Sequence, residues 1–211
     1  YTFDDKSKLV AAVDVWLSDR DEAIYQYDHI STWDVSPVTD MSGLFSVSCS
    51  EDITFDDDIS KWNTASVTNM GEMFRCSSAF NQRIGEWDTA RVTNMKKMFY
   101  GAAVFNQYIG AWDMTSVTDV SGMFWLAFAF DQDLGWRLST TVQATDFALG
   151  APCESKSCGA RFWPAKFDDK SKLVAAVDVW LSDRDEAMYQ YDHISTWDVS
   201  RVTDMGSLFM A

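Results

Sequence analysis

The chain has 211 residues, a formal charge of −15 and a hydrophobic content of 47%, enough apolar material for a sizeable core. The acidic balance repels phosphate backbones and anionic membranes, which argues against nucleic acid as a partner. No window approaches the run of roughly 18 apolar residues that a membrane span requires, and Tyr1 opens a polar stretch without a signal-peptide pattern, as expected of a processed chain or of a piece of a longer one.

Residues 1–29 read as a helical cap or junction. Leu9, Val13, Trp16 and Leu17 make one apolar face, Asp4 or Asp5 can cap the start, and a further turn or two is expected over Glu22 to Tyr27. His29 and His193 occupy one position in two copies of the same segment, which suits a junction role better than catalysis. No nucleophile elbow, phosphate loop, zinc-protease helix or dinucleotide loop is present, and no catalytic residue is expected.

From residue 30 to 150 the sequence repeats. Trp33, Trp62, Trp87 and Trp112 recur, with a degenerate fifth at Trp136 and a fresh start at Trp197, and the first four spacings are 29, 25, 25 and 24. The unit is I-x-x-W-[DN]-x-x-x-V-T-[DN]-M-x-x-[ML]-F-x-x-x-x-x-F-[ND]-Q. A period of this length predicts an α/β solenoid of about five leucine-rich-repeat-like coils with a stacked tryptophan core. Ile84, Trp87 and Thr89 predict a short strand with inward side chains. Met95, Met98, Phe99, Ala102 and Phe105 then fit one face of a short helix, with Met70, Met73, Met95 and Met98 as core filler. Asp40, Asn69, Asn94, Asp119 and Asp204 precede that run as expected helix caps, Asn69 with Glu72 resembling a capping box.

Carboxylates are the candidate calcium ligands. Asp34, Asn63, Asp88 and Asp113 would stack on successive strands, where an Asx-turn role competes with calcium. Asp56, Asp57 and Asp58 form the best calcium candidate but lack the alternation and distal Glu of an EF-hand loop, so a solvated acidic loop is the preferred reading and no cofactor is expected.

Residues 151–165 form a cysteine-bracketed end and linker. Disulfides Cys49 to Cys76 and Cys153 to Cys158 would use every cysteine and imply an oxidising compartment. A zinc site built from all four would need two dissimilar pairs, neither with C-x-x-C spacing. Residues 166–211 begin a second tandem module: of 46 positions compared at an offset of 164 residues, 7 differ and 39 match. The sequence stops partway through a coil, as expected of a segment from a longer array.

The phrases "ISTWDVSPVTDMSGLF", "FNQRIGEWDTARVTNMKKMF" and "FNQYIGAWDMTSVTDVSGMF" resemble the BspA-like leucine-rich-repeat surface proteins of mycoplasmas, other bacteria and unicellular marine algae. The likeness runs from about Asp4 to Phe130 and again from Phe167, and the stretch from Leu134 to Trp163 departs from it, with Gln143 and Ala144 replacing Thr and the Asp or Asn of the cap. The resemblance implies a leucine-rich-repeat-like fold on a cell surface, used for adhesion or for building extracellular structures. Two functions follow as expectations. The first is an extracellular structural protein that self-associates, module to module, into a fibre or coat; the second is a surface adhesin that grips a glycan or a protein, with calcium as a conceivable aid.

Overall fold

A computed structural model describes residues 1–49, 54–163, 170–182, 197, 199, 200, 202 and 203. The chain divides into two compact units, one of Tyr1–Trp136 with Val142–Ala160, the other of Arg137–Thr141 with the described residues from Arg161 onward.

The first unit opens with two helices. Helix α1 spans Lys6–Ser18, and Asp5 caps it by accepting from the Lys8 amide at 2.9 Å. Its i, i+3, i+4, i+7 face buries Leu9, Ala12, Val13 and Trp16, with Leu17 half-buried at the edge. Helix α2, Arg20–Tyr27, is capped by Asp19 and buries only Ala23. Trp16 meets Trp33 of the first repeat edge-on, with ring centroids 5.8 Å apart. The indole of Trp16 also donates to Asp57, which accepts from Arg20 as well. Helix and repeats are thus joined by an apolar face and a shared carboxylate.

The repeats lie side by side in parallel register. Isolated backbone bridges join Asp40 to Asn69, Asn69 to Asn94, Asn94 to Asp119 and Asp119 to Gln143. Around each bridge the amides of alternate residues donate to the next repeat: Met70 to Asn94, Glu72 to Lys96, Phe74 to Met98 and Cys76 to Tyr100, at 2.7–2.9 Å. The carbonyls of Asn69, Gly71, Met73 and Arg75 in turn accept from Met41, Gly43, Phe45 and Val47 of the preceding repeat. All these peptides therefore point one way, forming four chains of hydrogen bonds that run across the repeats.

This arrangement replaces the helical run that the Met95 to Phe105 periodicity predicts. Those residues are buried, but they lie on consecutive turns closed by bonds such as Met73 to Met70, Arg75 to Glu72 and Ser77 to Phe74. The third residue of the first turn has positive φ in every repeat, at Gly43, Glu72, Lys97, Gly122 and Asp146. Four residues later the same conformation returns at Cys76, Gly101, Leu126 and Gly150. Positive φ at these positions aligns alternate peptides across the repeats, which a right-handed helix cannot do, because it turns every N–H toward its own i−4 carbonyl. A helix of two turns is marginal alone; exchanging its internal bonds for bonds to two neighbours keeps every peptide paired. The strand expected at Ile84, Trp87 and Thr89 is a turn and extended chain without a bridge, and the single bridges between repeats fall instead at the expected cap positions, such as Asn69 and Asn94.

The interior is two ladders of phenylalanine. Within a repeat Phe74 stacks on Phe80 and Phe99 on Phe105, at 3.9 and 4.0 Å. Between repeats Phe45, Phe74, Phe99 and Phe124 follow one another at 5.5–5.7 Å, and Phe55, Phe80, Phe105 and Phe130 at 5.8–6.0 Å. Burying each ring contributes about 1.5–3 kcal/mol, and Met70, Met73, Met95 and Met98 fill the spaces beside them with no exposed surface.

The second unit holds strands β1, Arg137–Ser139, and β2, Arg161–Trp163, paired in parallel. Helix α3, Lys170–Ser182, has the same 13 residues as α1 and buries Leu173, Ala176 and Val177, the counterparts of Leu9, Ala12 and Val13. Trp197, Val199 and Val202 pack against that face, and Trp180 meets Trp197 edge-on at 6.1 Å, as Trp16 meets Trp33. Asp204 lies outside the described residues.

Candidate functional site

Each repeated polar residue has an identifiable task, and most of these tasks face the neighbouring repeat. Asp40, Asn69, Asn94 and Asp119 are not helix caps, since no helix follows them. Their side-chain oxygens accept from the amide two residues on, at Ser42, Gly71, Lys96 and Ser121, forming Asx turns that start the run of turns. Glu72 does not complete a capping box; it sits at positive φ, 3.8 Å from Arg75. The threonines before Asn69, Asn94 and Asp119 donate both amide and hydroxyl to the equivalent threonine carbonyl one repeat earlier, as Thr93 does to Thr68 at 2.8 and 3.1 Å.

The F-[ND]-Q motif makes a second ladder. The Asn81 amide donates to Asp56 at 2.7 Å, Asn106 to Asn81 at 2.9 Å and Asp131 to Asn106 at 3.0 Å. Gln82, Gln107 and Gln132 reach back beside them. The tryptophans do the same from the core: the indole N–H of Trp62 donates to the Ile30 carbonyl, Trp87 to Ile59 and Trp112 to Ile84, at 3.0–3.2 Å. Indoles stack directly at Trp33 with Trp62 and at Trp112 with Trp136, both at 6.4 Å. Neither the indole bonds nor the asparagine ladder was anticipated from sequence, although a tryptophan following an isoleucine by three residues in every unit is the signal that carries the first.

The acidic candidates are engaged. Asp56 begins the asparagine ladder, Asp57 holds Trp16 and Arg20, and Asp58 accepts from the Ser60 amide at 2.9 Å. Asp34, Asn63, Asp88 and Asp113 form Asx turns with Ser36, Ala65, Ala90 and Thr115. Hydrogen bonds from Ser36 hold Asp34 below the ordinary carboxylate range, and those from Thr115 and Ser60 do so for Asp113 and Asp58. At Asp40 burial pushes the carboxyl up, yet bonds from Ser42 together with Lys6 at 3.2 Å outweigh it and the net direction is down. Among the described residues no group of three or more His, Cys, Asp or Glu is placed to hold a metal ion. His29 bonds Ser31 and lies edge-on to Trp16 at 5.1 Å, a junction role.

The cysteines form two disulfides, Cys49 with Cys76 and Cys153 with Cys158, with Cα separations of 4.9 and 4.7 Å. Gly101 accommodates the first: its φ is +66°, and a Cβ there would come within 3.2 Å of the Cys76 sulfur.

Two surface features remain. A shallow polar groove of about 290 Å³ runs over Ser42, Asn69, Gly71, Asn94 and Lys96. Beside it the ladder register aligns Arg75, Tyr100 and Trp125 from three successive repeats. The Arg75 guanidinium and the Lys97 ammonium lie 5.6 and 5.7 Å from the Tyr100 ring, and Tyr100 meets Trp125 edge-on at 5.4 Å. Phe128 is 61% exposed in the same repeat as Trp125.

Residues 18–137 and 181–211 match the family model described as "Mycoplasma protein of unknown function, DUF285". The chain is a member of the DUF285 family. No curated protein and no solved structure matches it. In this DUF285 member the matched segments take in the repeats, and no helix among the described residues is long and apolar enough to cross a membrane.

Proposed function

We propose that this DUF285 member is a structural protein of the cell surface or extracellular space, of the BspA-like kind, whose tandem modules stack as a leucine-rich-repeat-like solenoid and assemble end to end into a fibre or coat. One observation carries the reading: α3 repeats the 13 residues of α1, buries the same three positions and places its tryptophan edge-on to the following one as α1 does. A chain that renews its own beginning in both sequence and packing suits an array. The chains of hydrogen bonds also run in one direction, so the two ends of a stack differ, and contacts between unlike ends propagate instead of closing. Two disulfides suit an oxidising exterior. The repeated carboxylates have structural partners, and the proposed assembly uses neither a cofactor nor catalysis.

Electron microscopy of native material tests this reading. A sharp axial period of one module is expected, about 2.5 nm from five coils at roughly 5 Å each plus the length of the helical cap. Short isolated particles under all conditions would contradict it. The adhesin reading draws on a different observation, the change from Arg75 to Tyr100 to Trp125 along one surface column, since a binding face varies where a scaffold repeats. Retention of an immobilised glycan or protein by particles that show no axial order would favour it.

A further inference from the structure

The surface of an acidic chain carries a half-exposed cationic and aromatic stripe whose members contact one another, with Arg75 also reaching the Val47 carbonyl and Glu72. Arg75 and Lys97 lie over Tyr100, and Glu72 sits 3.8 Å from Arg75. Trp125 extends the aromatic surface, and its repeat also carries the largely exposed Phe128. The Phe ladders beneath hold these side chains in register, so the stripe is preorganised.

Helix α2 presents the complementary feature. Ala23 alone is buried, while Ile24 is 41% and Tyr25 86% exposed, and Asp21 and Glu22 lie on the turn just before them. An eight-residue helix that turns an aromatic and an aliphatic side chain into solvent is covered by little of its own chain. Its exposed knob is apolar with acidic flanks; the stripe is aromatic with basic flanks.

We propose that α2 of one copy docks on the Arg75–Lys97–Tyr100–Trp125 stripe of a second copy of this chain. Charge complementarity selects the occupant: Asp21 and Glu22 meet Arg75 and Lys97, while Tyr25 and Ile24 cover Tyr100 and Trp125. The contact joins two different surfaces, so each copy still offers a free α2 and a free stripe, and association continues sideways and staggered along the array. The inference rests on the self-assembling reading and adds the lateral contact to it.

Sedimentation velocity on the 211-residue chain, across concentration and salt, tests the contact. The unmodified chain is expected to self-associate and to weaken as salt rises, because exposed charges are screened over about 10 Å at 0.1 M. Residues 184–191 repeat the α2 sequence with one difference, so the α2 changes are made in both copies. Arg75→Glu with Lys97→Glu should weaken association by about tenfold or more, as should Asp21→Lys and Glu22→Lys together with Asp185→Lys and Glu186→Lys. Mixing the two variants should restore it, since every α2 sequence then finds a stripe of opposite charge. Unchanged circular dichroism keeps loss of folding apart from loss of contact, and Tyr25→Ser with Tyr189→Ser offers a variant without a charge change that is expected to weaken association too. If the unmodified chain associates but neither charge variant alters it, the contact is wrong while end-to-end assembly stands. A chain that stays monomeric throughout also overturns the contact, and the axial period in electron micrographs then decides the fibre separately. If the stripe variant loses binding to heparin while association is unchanged, the stripe serves an acidic glycan and the proposal fails.

Discussion

The repeats from Trp62 to Phe130 and the closing segment from Leu134 to Ala160 are built on one backbone register but differ in how their side chains use it. In the repeats the indole N–H groups of Trp62, Trp87 and Trp112 each meet an isoleucine carbonyl, whereas that of Trp136 is buried with no partner among the described residues. Phe74, Phe99 and Phe124 stack nearly parallel, while Phe147 meets Phe124 edge-on at 84°. Gln143 takes the place of the Asx-turn residue, and among the described residues it makes no such turn. Yet the amides of Val120, Gly122, Phe124 and Leu126 still donate to Gln143, Thr145, Phe147 and Leu149 at 2.7–2.9 Å. The backbone ladder therefore survives loss of the motif, and the motif side chains supply register and extra stability on top of it.

The largest expected effect breaks the phenylalanine ladder. Phe99→Ala removes a ring stacked on Phe74, Phe105 and Phe124 with no exposed surface, and should cost about 3–5 kcal/mol, whereas Phe147→Ala, on a ring 7% exposed and outside the parallel stack, should cost clearly less. Urea midpoints at unchanged slope measure both. Equal losses would mean that the closing segment is packed as tightly as the repeats.

Removal of the disulfides follows. Cys49→Ser with Cys76→Ser opens a loop of sequence separation 27, worth about 3.5 kcal/mol by chain entropy, and Cys153→Ser with Cys158→Ser opens one of separation 5, worth about 2 kcal/mol. The same midpoints under oxidising and reducing conditions give the ranking, and a reversed order would contradict it.

Much of this contrast was legible in the sequence, though not in its physical form. The 25-residue period, the buried Met95, Met98, Phe99 and Phe105 and both disulfide pairings were readable from spacing; the departure near Gln143 was too, but one residue out of register, since the sequence sets Ala144 at the Asp or Asn position and the bridge to Asp119 puts Gln143 there. The helix was misread because a run of turns with positive φ at Glu72 and Cys76 buries residues at the same three- and four-residue spacings as a helix does. Glycine at 43, 101 and 122 in the equivalent positions was the available warning, since it falls where the left-handed conformation is required. The Asx turns, indole bonds and asparagine ladder were hidden for a simpler reason: each joins residues two apart or one repeat apart, and the repeat-to-repeat partner becomes defined only once the register is known. The stripe over Tyr100 was visible only as variation between repeats, without its cation–π geometry.

The indoles give a smaller test. Trp87→Phe removes one of the two donors to the Ile59 carbonyl, which still accepts from the Trp62 amide, and should cost about 0.5–1.5 kcal/mol beyond the change in packing, while Trp136→Phe removes a donor that has no acceptor among the described residues and should lack that penalty. A thermal shift of the same size in both would show that the Trp136 indole is satisfied in solution.

The smallest effect is acid dependence. Asp34 and Asp113 have folded-state pKa values held below the ordinary 3.8 by bonds from Ser36 and Thr115. The resulting stabilisation is present above the unfolded pKa and disappears as pH falls through the folded one, so it is lost below about 3.8. Both groups are exposed, which keeps the effect small. Asn63 already fills this column and keeps its turn through Ala65, so Asp113→Asn should preserve stability at neutral pH and flatten the acid limb. An unaltered acid limb would show that the Asp113 turn does not sense protonation.

Residue-resolved hydrogen exchange on the folded chain tests the inter-repeat ladder most directly. The amides of Met70, Glu72, Phe74 and Cys76 donate only to the next repeat, so they should exchange slowly and share one opening free energy with Met95, Lys97, Phe99 and Gly101. Exchange of these amides at the rate of unstructured chain, with the turn amides of Met73 and Arg75 still protected, would mean that each repeat folds on its own and that the ladder does not hold the stack together.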